Sequence, residues 1–359
     1  MKIMHVSDLH LGCRQYGMAR REEDFYTALD NILAIVSDKK VDNVILAGDV
    51  FDSPKPPAKA VLKMTEFVRN LSYAGIPVYG IEGNHDKTQD SYWLRVCGIR
   101  PLYGDSKWNL GDGVFAFGLN FDRTEEVLSS LEKLAYNAGK IQLMALHLGV
   151  AEMGAGFNPD LSLDQLAPLL EELGVQYCAL GHIHVPSAQK RGNIWFVQPG
   201  SIEMKSIDEP QEKGVEIVEF KDGKVMSMER VGFPTRRVQF LDIRYDADLD
   251  QLTAGRADEL RDALVVAYVL NSIPDGVRRV TDWGREHELM CRVMPVGDDA
   301  KVQKEYDRSN SMNLLNEAVE TFFDEDSEQY KLVLDILHTG NPRLVMERYM
   351  NSDTDKENA

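Results

Sequence analysis

Cysteine is scarce in this chain: four of 359 residues, Cys13, Cys97, Cys178 and Cys291, widely spaced and without a CxxC pair. That excludes a disulfide scaffold and a cysteine-based zinc module, and points to reduced, mostly buried thiols. Long hydrophobic runs are missing as well. No stretch reaches the ~18 apolar residues of a membrane-spanning helix, so no membrane association is expected. Positive charge is in deficit, with 40 Lys and Arg against 58 Asp and Glu, a net charge of −18. A protein that coats nucleic acid by bulk electrostatics is thereby excluded; one that grips a phosphate backbone locally is not. The opening run Met1-Lys2-Ile3-Met4-His5-Val6 leads straight into the first polar cluster and leaves no room for a removable signal segment, so a cytoplasmic protein is expected.

Histidine is also sparse, eight residues in all, yet five of them fall in five short clusters of metal-seeking side chains. The clusters are Asp8-Leu9-His10, Gly48-Asp49, Gly83-Asn84-His85-Asp86, His147, and Gly181-His182-Ile183-His184. Each follows a strand-like run. Any one of them is weak evidence, and His147 alone reads as an ordinary strand-end histidine. Together they supply the mixture of carboxylate, amide and imidazole donors that a two-metal hydrolase needs.

The remaining composition, 43% hydrophobic and 27% charged, is that of a globular protein, and the length suits two or three domains. Strand-like and helix-like runs alternate over the first ~230 residues, the pattern of a layered α/β domain. Strands are expected at 3–6, 44–47, 77–81, 141–146, 175–180 and 194–197, and amphipathic helices at 22–38, 58–73 and 124–138. A hairpin is expected across Asp222-Gly223. A second unit follows Phe233-Pro234, with strands at 238–245 and 288–294 around a helix at 257–270. Residues 296–310 read as a linker, 311–350 as two or three amphipathic helices, and 351–359 as a disordered tail. The division is therefore 1–232, 233–295, 296–310, 311–350 and 351–359.

Phosphodiester hydrolysis needs charge neutralised on the phosphoryl oxygens, a hydroxide nucleophile and a protonated leaving group; two metals ~3.5–4 Å apart supply the first two. Asp49 suits the shared position. One metal would take Asp8, His10, Asp49 and His184, the other Asp49, Asn84, His147 and His182. If extended, Asp8 with His10, and His182 with His184, each point to one side of their strand. Mixed N and O donors suit two Mn²⁺, with Fe²⁺, Zn²⁺ or Mg²⁺ possible. His85 is the candidate general acid, and Asp52 the group that orients it.

On Val6-Ser7-Asp8-Leu9-His10-Leu11-Gly12, Gly48-Asp49-Val50-Phe51-Asp52, Gly83-Asn84-His85-Asp86, Gly181-His182-Ile183-His184 and Gln198-Pro199-Gly200-Ser201-Ile202-Glu203, the chain resembles the calcineurin-like metallophosphoesterase superfamily. Within it, the likeness is to the SbcD-type nuclease subunit of DNA double-strand-break repair complexes. The resemblance is specific over 1–220. It implies a four-layer α/β sandwich, two mixed sheets flanked by helices, with a small α+β capping domain and C-terminal helices. It also implies a manganese-dependent 3′ to 5′ double-strand exonuclease and single-strand or hairpin endonuclease, cytoplasmic or nucleoid-associated. The implied partners are DNA, an SbcC-type coiled-coil ATPase of the SMC-like class, and a second copy, with 58–73 a possible dimer contact. Some relatives carry a histidine where this chain has Asp52.

A DNA substrate calls for cations beside the metals. Arg14, Lys55, Lys87, Lys190 and Arg191 are the first choices, with Arg20, Arg21, Lys59, Arg278 and Arg279 further candidates. Leu315, Val319, Phe322, Tyr330 and Leu337 form the apolar stripes for the ATPase. The alternatives are a phosphoesterase acting on a small molecule or phosphoprotein, and a non-catalytic scaffold, which ought to have lost ligands.

Overall fold

The computed structural model describes residues 1–297 apart from 105–106, 138–139, 155–158 and 254. The helices expected over 311–350, with Leu315, Val319, Phe322, Tyr330 and Leu337, the tail 351–359 and nearly all of the 296–310 linker lie outside the described residues.

In chain order the first part runs β1 (Lys2–Val6), α1 (Ala19–Lys39), β2 (Asn43–Ala47), α2 (Ala58–Tyr73), β3 (Val78–Ile81), α3 (Tyr92–Val96), β4 (Arg100–Pro101), β5 (Trp108–Gly111) and β6 (Val114–Gly118). It continues with α4 (Thr124–Asn137), β7 (Leu143–His147), α5 (Leu163–Leu173), β8 (Tyr177–Gly181), β9 (Ser187–Arg191), β10 (Ile194–Gln198), β11 (Lys213–Lys221) and β12 (Lys224–Phe233). Two six-stranded sheets result, ordered β12-β11-β1-β2-β3-β4 and β5-β6-β7-β8-β10-β9. Both are mixed: β1 to β4 are parallel, as are β6, β7, β8 and β10, while hairpins add antiparallel strands at the edges.

The layering follows from the two-residue period of each strand. Ile3 and Ile45 face Leu143, Tyr177 and Val197 of the other sheet. Met4, Val6, Val44 and Leu46 face outward onto Phe25, Ile32, Met64 and Phe67 of α1 and α2. Met144, Leu146, Cys178 and Phe196 pack against Leu131, Leu166 and Leu170 of α4 and α5. Central strands covered on both faces read as continuous apolar runs, as Asn43-Val44-Ile45-Leu46-Ala47 does. Each fully buried Val, Ile or Leu contributes roughly 1.5–3 kcal/mol. Parallel neighbours share one carboxyl end, so the loops after β1, β2, β3, β7 and β8 gather at a single edge.

Two expectations are corrected. Residues 257–270 do not form one helix: after β13 (Val238–Ile243) and α6 (Asp246–Thr253), a short α7 (Ala257–Leu260) precedes β14 (Leu264–Leu270), α8 (Gly276–Glu286) and β15 (Met290–Val296). Leu264-Val265-Val266-Ala267-Tyr268-Val269-Leu270 is the central strand of a parallel sheet ordered β13-β14-β15, covered on both faces, which favours a β-branched run over a helix. The second correction concerns Arg21, which is fully buried rather than exposed to a substrate. It bonds Asp24 at 2.5 Å, Glu203 at 3.1 Å and the Met204 carbonyl at 2.8 Å. Asp24 in turn takes Arg236, at the entry to the three-stranded module, with two contacts of 2.6 Å. No described helix is long and apolar enough to cross a membrane.

Candidate active site

The five clusters converge where the carboxyl ends of β1, β2, β3, β7 and β8 meet. Asp8, His10, Asp49 and His147 are buried; Asn84, His85, His182 and His184 reach the surface. Asp8 (φ 53°), His10 (φ 44°), Asp49 (φ 49°) and His182 (φ 97°) all have positive φ. Such conformations cost non-glycine residues energy and collect at functional sites. They also correct the expectation of extended pairs: left-handed turns, not strand alternation, bring Asp8 and His10 inward.

Two glycines are required by close approach. A Cβ at Gly83 would overlap the Asp49 carboxylate, and one at Gly181 would overlap the Ala47 carbonyl and crowd His147 Nδ1. The chain thus packs backbone against the buried donors with nothing in between.

Three sets of donor atoms lie within 4.8 Å of one another and could hold a metal ion: His10, Asp52 and His85, and the two groups that share Asp8, namely Asp8, His10 and His184, and Asp8, Asp49 and His147. Asp49 lies between histidines of both groups: Oδ2 is 3.7 Å from His10 Nε2 and 3.4 Å from His147 Nε2, while Oδ1 accepts the His85 amide at 2.8 Å. Asn84 Oδ1 is 3.1 Å from His147 Nε2 and 3.0 Å from His182 Nδ1. His10 Nε2 and His184 Nε2 face each other at 2.9 Å.

The donor chemistry fits divalent cations. His147 Nδ1 donates to the Ala47 carbonyl at 2.8 Å, so Nε2 is the nitrogen that would give up its proton to a cation. His184 Nδ1 is 2.7 Å from Glu209 Oε1, a carboxylate that fixes the ring in the same way. Phe121 stacks on His182 with centroids 6.1 Å apart. Burial works to lower His147 basicity, but the Asp49 carboxylate outweighs it and raises the ring to about 9. Burial would raise Asp49, yet His147 and His10 hold it below the ordinary carboxylate range. A buried carboxylate held down by facing imidazoles presents the charge that a cation would neutralise.

Asp52 and His85 meet otherwise than expected. His85 Nδ1 is 3.1 Å from the Asp52 backbone carbonyl, but 3.9 Å from its carboxylate. The carboxylate lies nearer His10 Nδ1, at 3.4 Å, and the ammonium of Lys205, at 2.9 Å. Main chain therefore aims His85, and the Asp52 carboxylate backs His10. Asp86, next to His85, accepts the Gly83 and Phe51 amides and pins the Asn84 loop to the loop after β2; burial, then Asp49, pushes it up to about 7.

Of the cations expected at a DNA surface, Lys55 is exposed, Arg14 is exposed but paired with Glu22 at 2.5 Å, and Lys87 is exposed and paired with Asp122 at 3.2 Å. Lys190 and Arg191 are placed away from the site. In the β9–β10 hairpin they sit opposite Trp195 and Ile194, at the start of β10, whereas the site gathers at the carboxyl ends of the parallel strands. Lys190 caps the Trp195 ring and Arg191 pairs with Asp164. Arg20 bonds the Glu288 and Arg261 carbonyls, Lys59 pairs with Glu23, Arg278 with Asp275, and Arg279 with Asp246 and Asp250. Missing from the sequence reading were Lys205, Glu209 and Lys213, which lie in a polar stretch after Gln198-Pro199-Gly200-Ser201 with no periodic signal. The Gln198-Pro199-Gly200-Ser201-Ile202-Glu203 motif leading into that stretch was the available hint.

A model of the calcineurin-like phosphoesterase superfamily domain matches residues 1–223. The chain belongs to this superfamily. Among its relatives is the DNA double-strand break repair protein Mre11 of Methanosarcina mazei, 28% identical over 260 residues, 69% of this chain and 40% of that one. The protein of the same name from Aeropyrum pernix is 28% identical over 258 residues, 66% of this chain and 61% of that one. That of Archaeoglobus fulgidus is 26% identical over 411 residues, 99% of this chain and 90% of that one. The chain thus spans less than two thirds of the length of the first two. The superfamily match covers all five clusters and ends in the turn between β11 and β12, before the three-stranded module.

Proposed function

We propose that this chain is a divalent-cation-dependent DNA nuclease of double-strand-break processing. The observation that carries the reading is the Asp49 carboxylate between His10 and His147, with further donors on either side. Asp8, His10, Asp49 and His184 would hold one ion, and Asp49, Asn84, His147 and His182 the other. When bound, the two ions would neutralise the phosphoryl oxygens and supply a hydroxide nucleophile; mixed imidazole and carboxylate donors suit Mn²⁺.

The protein's own groups do the rest. His85, about one-third exposed and aimed by the Asp52 carbonyl, donates a proton to the departing sugar oxygen. Asp8 accepts the His182 amide at 3.0 Å and so ties the first cluster to the last. The likeness to DNA double-strand break repair proteins supports DNA as substrate. Exonuclease action with 3′ to 5′ polarity, endonuclease action on single strands and hairpins, and cytoplasmic or nucleoid location belong to the same reading. Residues 1–232 would be catalytic and 233–295 a capping unit. Residues 311–350 would bind an SbcC-type ATPase, and α2 would contribute to a dimer. Arg14, Lys55 and Lys87 would meet the backbone of the DNA.

The test is incubation of end-labelled duplex DNA with Mn²⁺ beside a cyclic nucleotide and an aryl phosphate, with H85Q as control. Cleavage of DNA that H85Q abolishes while retaining metal supports the reading. Turnover of the small phosphates alone would assign a small-molecule phosphoesterase instead.

A further inference from the structure

Lys205 is a cation that the proposed chemistry above does not use. It lies in the loop between β10 and β11, far in sequence from the motifs at residues 8–86, yet its ammonium enters their site. Nζ is 2.9 Å from Asp52 Oδ1, 3.2 Å from His10 Nδ1, and 3.3 and 3.4 Å from His85 Nε2 and Nδ1. The ammonium is therefore placed on the side of the general-acid candidate, opposite Glu209 at His184.

The loop is built to hold it there. The Lys205 carbonyl accepts Gln15 Nε2 at 3.0 Å, and Gln15 Oε1 accepts the buried Arg21 at 2.8 Å. On one side Glu203 and the Met204 carbonyl take the same Arg21; on the other the Ser206 amide donates to Glu209 at 2.9 Å. The Lys205 side chain is about one-fifth exposed, beside His85, which is about one-third exposed. A lysine stem fixed at its base can exchange its Asp52 contact for an arriving anion with little loss of freedom. The arrangement also has a charge logic. Asp8, Asp49 and Asp52 would repel a phosphodiester approaching from the His85 side, and a cation at Asp52 offsets that repulsion.

We propose that Lys205 is a catalytic residue that binds a non-bridging oxygen of the scissile phosphodiester, with Asp52 as its resting partner, and so places the leaving oxygen at His85. This rests on the phosphodiesterase reading above. Three variants test it in the full-length protein: K205Q, K205R, and K205M as a second neutral replacement in case one misfolds. Metal content and thermal melting are measured first. Binding of a labelled single-stranded oligonucleotide is then followed by anisotropy against salt, without turnover, in Ca²⁺. Cleavage with Mn²⁺ is followed under single turnover.

The expected result is unchanged metal content, a salt slope smaller by about one phosphate contact, and cleavage slowed on the order of a hundredfold in K205Q and K205M. K205R should recover most of both. A neutral variant that keeps the wild-type salt slope and rate overturns the proposal and leaves the nuclease reading standing. Loss of metal in every neutral variant overturns it too, because Lys205 would then be a support for His10. Wild-type protein that cuts no phosphodiester refutes the parent reading and this one with it.

Discussion

Replacing Glu209 by leucine should separate metal affinity from folding. Glu209 Oε1 meets His184 Nδ1 at 2.7 Å, and Oε2 accepts Ser201 Oγ at 2.8 Å and Lys213 Nζ at 2.7 Å. The two charged side chains are nearly buried, Glu209 at 7% exposure and Lys213 at 1%. Removing the carboxylate does two things. His184 loses the group that fixes its ring, which in comparable sites costs about 10–100-fold in metal affinity, or roughly 1.4–2.7 kcal/mol. Lys213 is left in the interior without its counter-ion, holding only Ser201 Oγ at 2.7 Å, a loss of about 3–5 kcal/mol of stability. The double variant E209L/K213M removes the stranded charge, so it should regain most of the stability and none of the metal affinity. Titration calorimetry with Mn²⁺ and urea unfolding of the apo-protein measure the two quantities independently. If E209L binds Mn²⁺ as tightly as the parent, or if the double variant restores both quantities together, the assigned role of Glu209 is wrong.

Three further outcomes follow from the geometry. G83A places a methyl group on the Asp49 carboxylate, so it should bind Mn²⁺ at least tenfold more weakly while remaining folded, as calorimetry and circular dichroism would record. His5, buried between the sheets with Nδ1 3.0 Å from the Tyr177 hydroxyl, is pushed down to about 3 by burial. Because its unfolded value is near 6.5, the unfolded chain binds the extra proton between the two values. Stability is then lost as pH falls below 6.5, by roughly 2 kcal/mol at pH 5. H5Q should flatten that acid limb in urea unfolding, and an unchanged limb would assign it to other groups. Finally, D24N should loosen the three-stranded module by weakening Arg236, read as faster proteolysis within 233–238; an equal rate would deny the tie its role.

Much of the fold was legible because burial imposes periodicity. The run Asn43-Val44-Ile45-Leu46-Ala47 is apolar on both faces, and α2 buries Ala60, Met64, Phe67, Val68 and Leu71 along one stripe. The helix α5 was missed although Ser162 and Gln165 form a capping box and Gly174 closes its end. The hairpin of β5 and β6 was missed although Asp112-Gly113 marks its turn. The strand β14 was misread because Leu264–Leu270 is a continuous apolar run, for which helix and strand periods cannot be told apart. At the site, the converging donors were legible because each closes a strand with a short motif. Glu209, Lys213 and Lys205 were not, since their roles come from the β10–β11 loop and the first residue of β11 approaching the site, and local sequence carries no record of that approach. Lys190 and Arg191 stand near the motif in sequence, but the antiparallel register of β9 carries them off.

The central claim is best tested by anomalous diffraction at the manganese edge from crystals grown with Mn²⁺. Two peaks are expected, about 3.5–4 Å apart, on either side of the Asp49 carboxylate, both weakened or lost in D49N. A single peak remote from Asp49, or none in protein that still cleaves DNA, would contradict it.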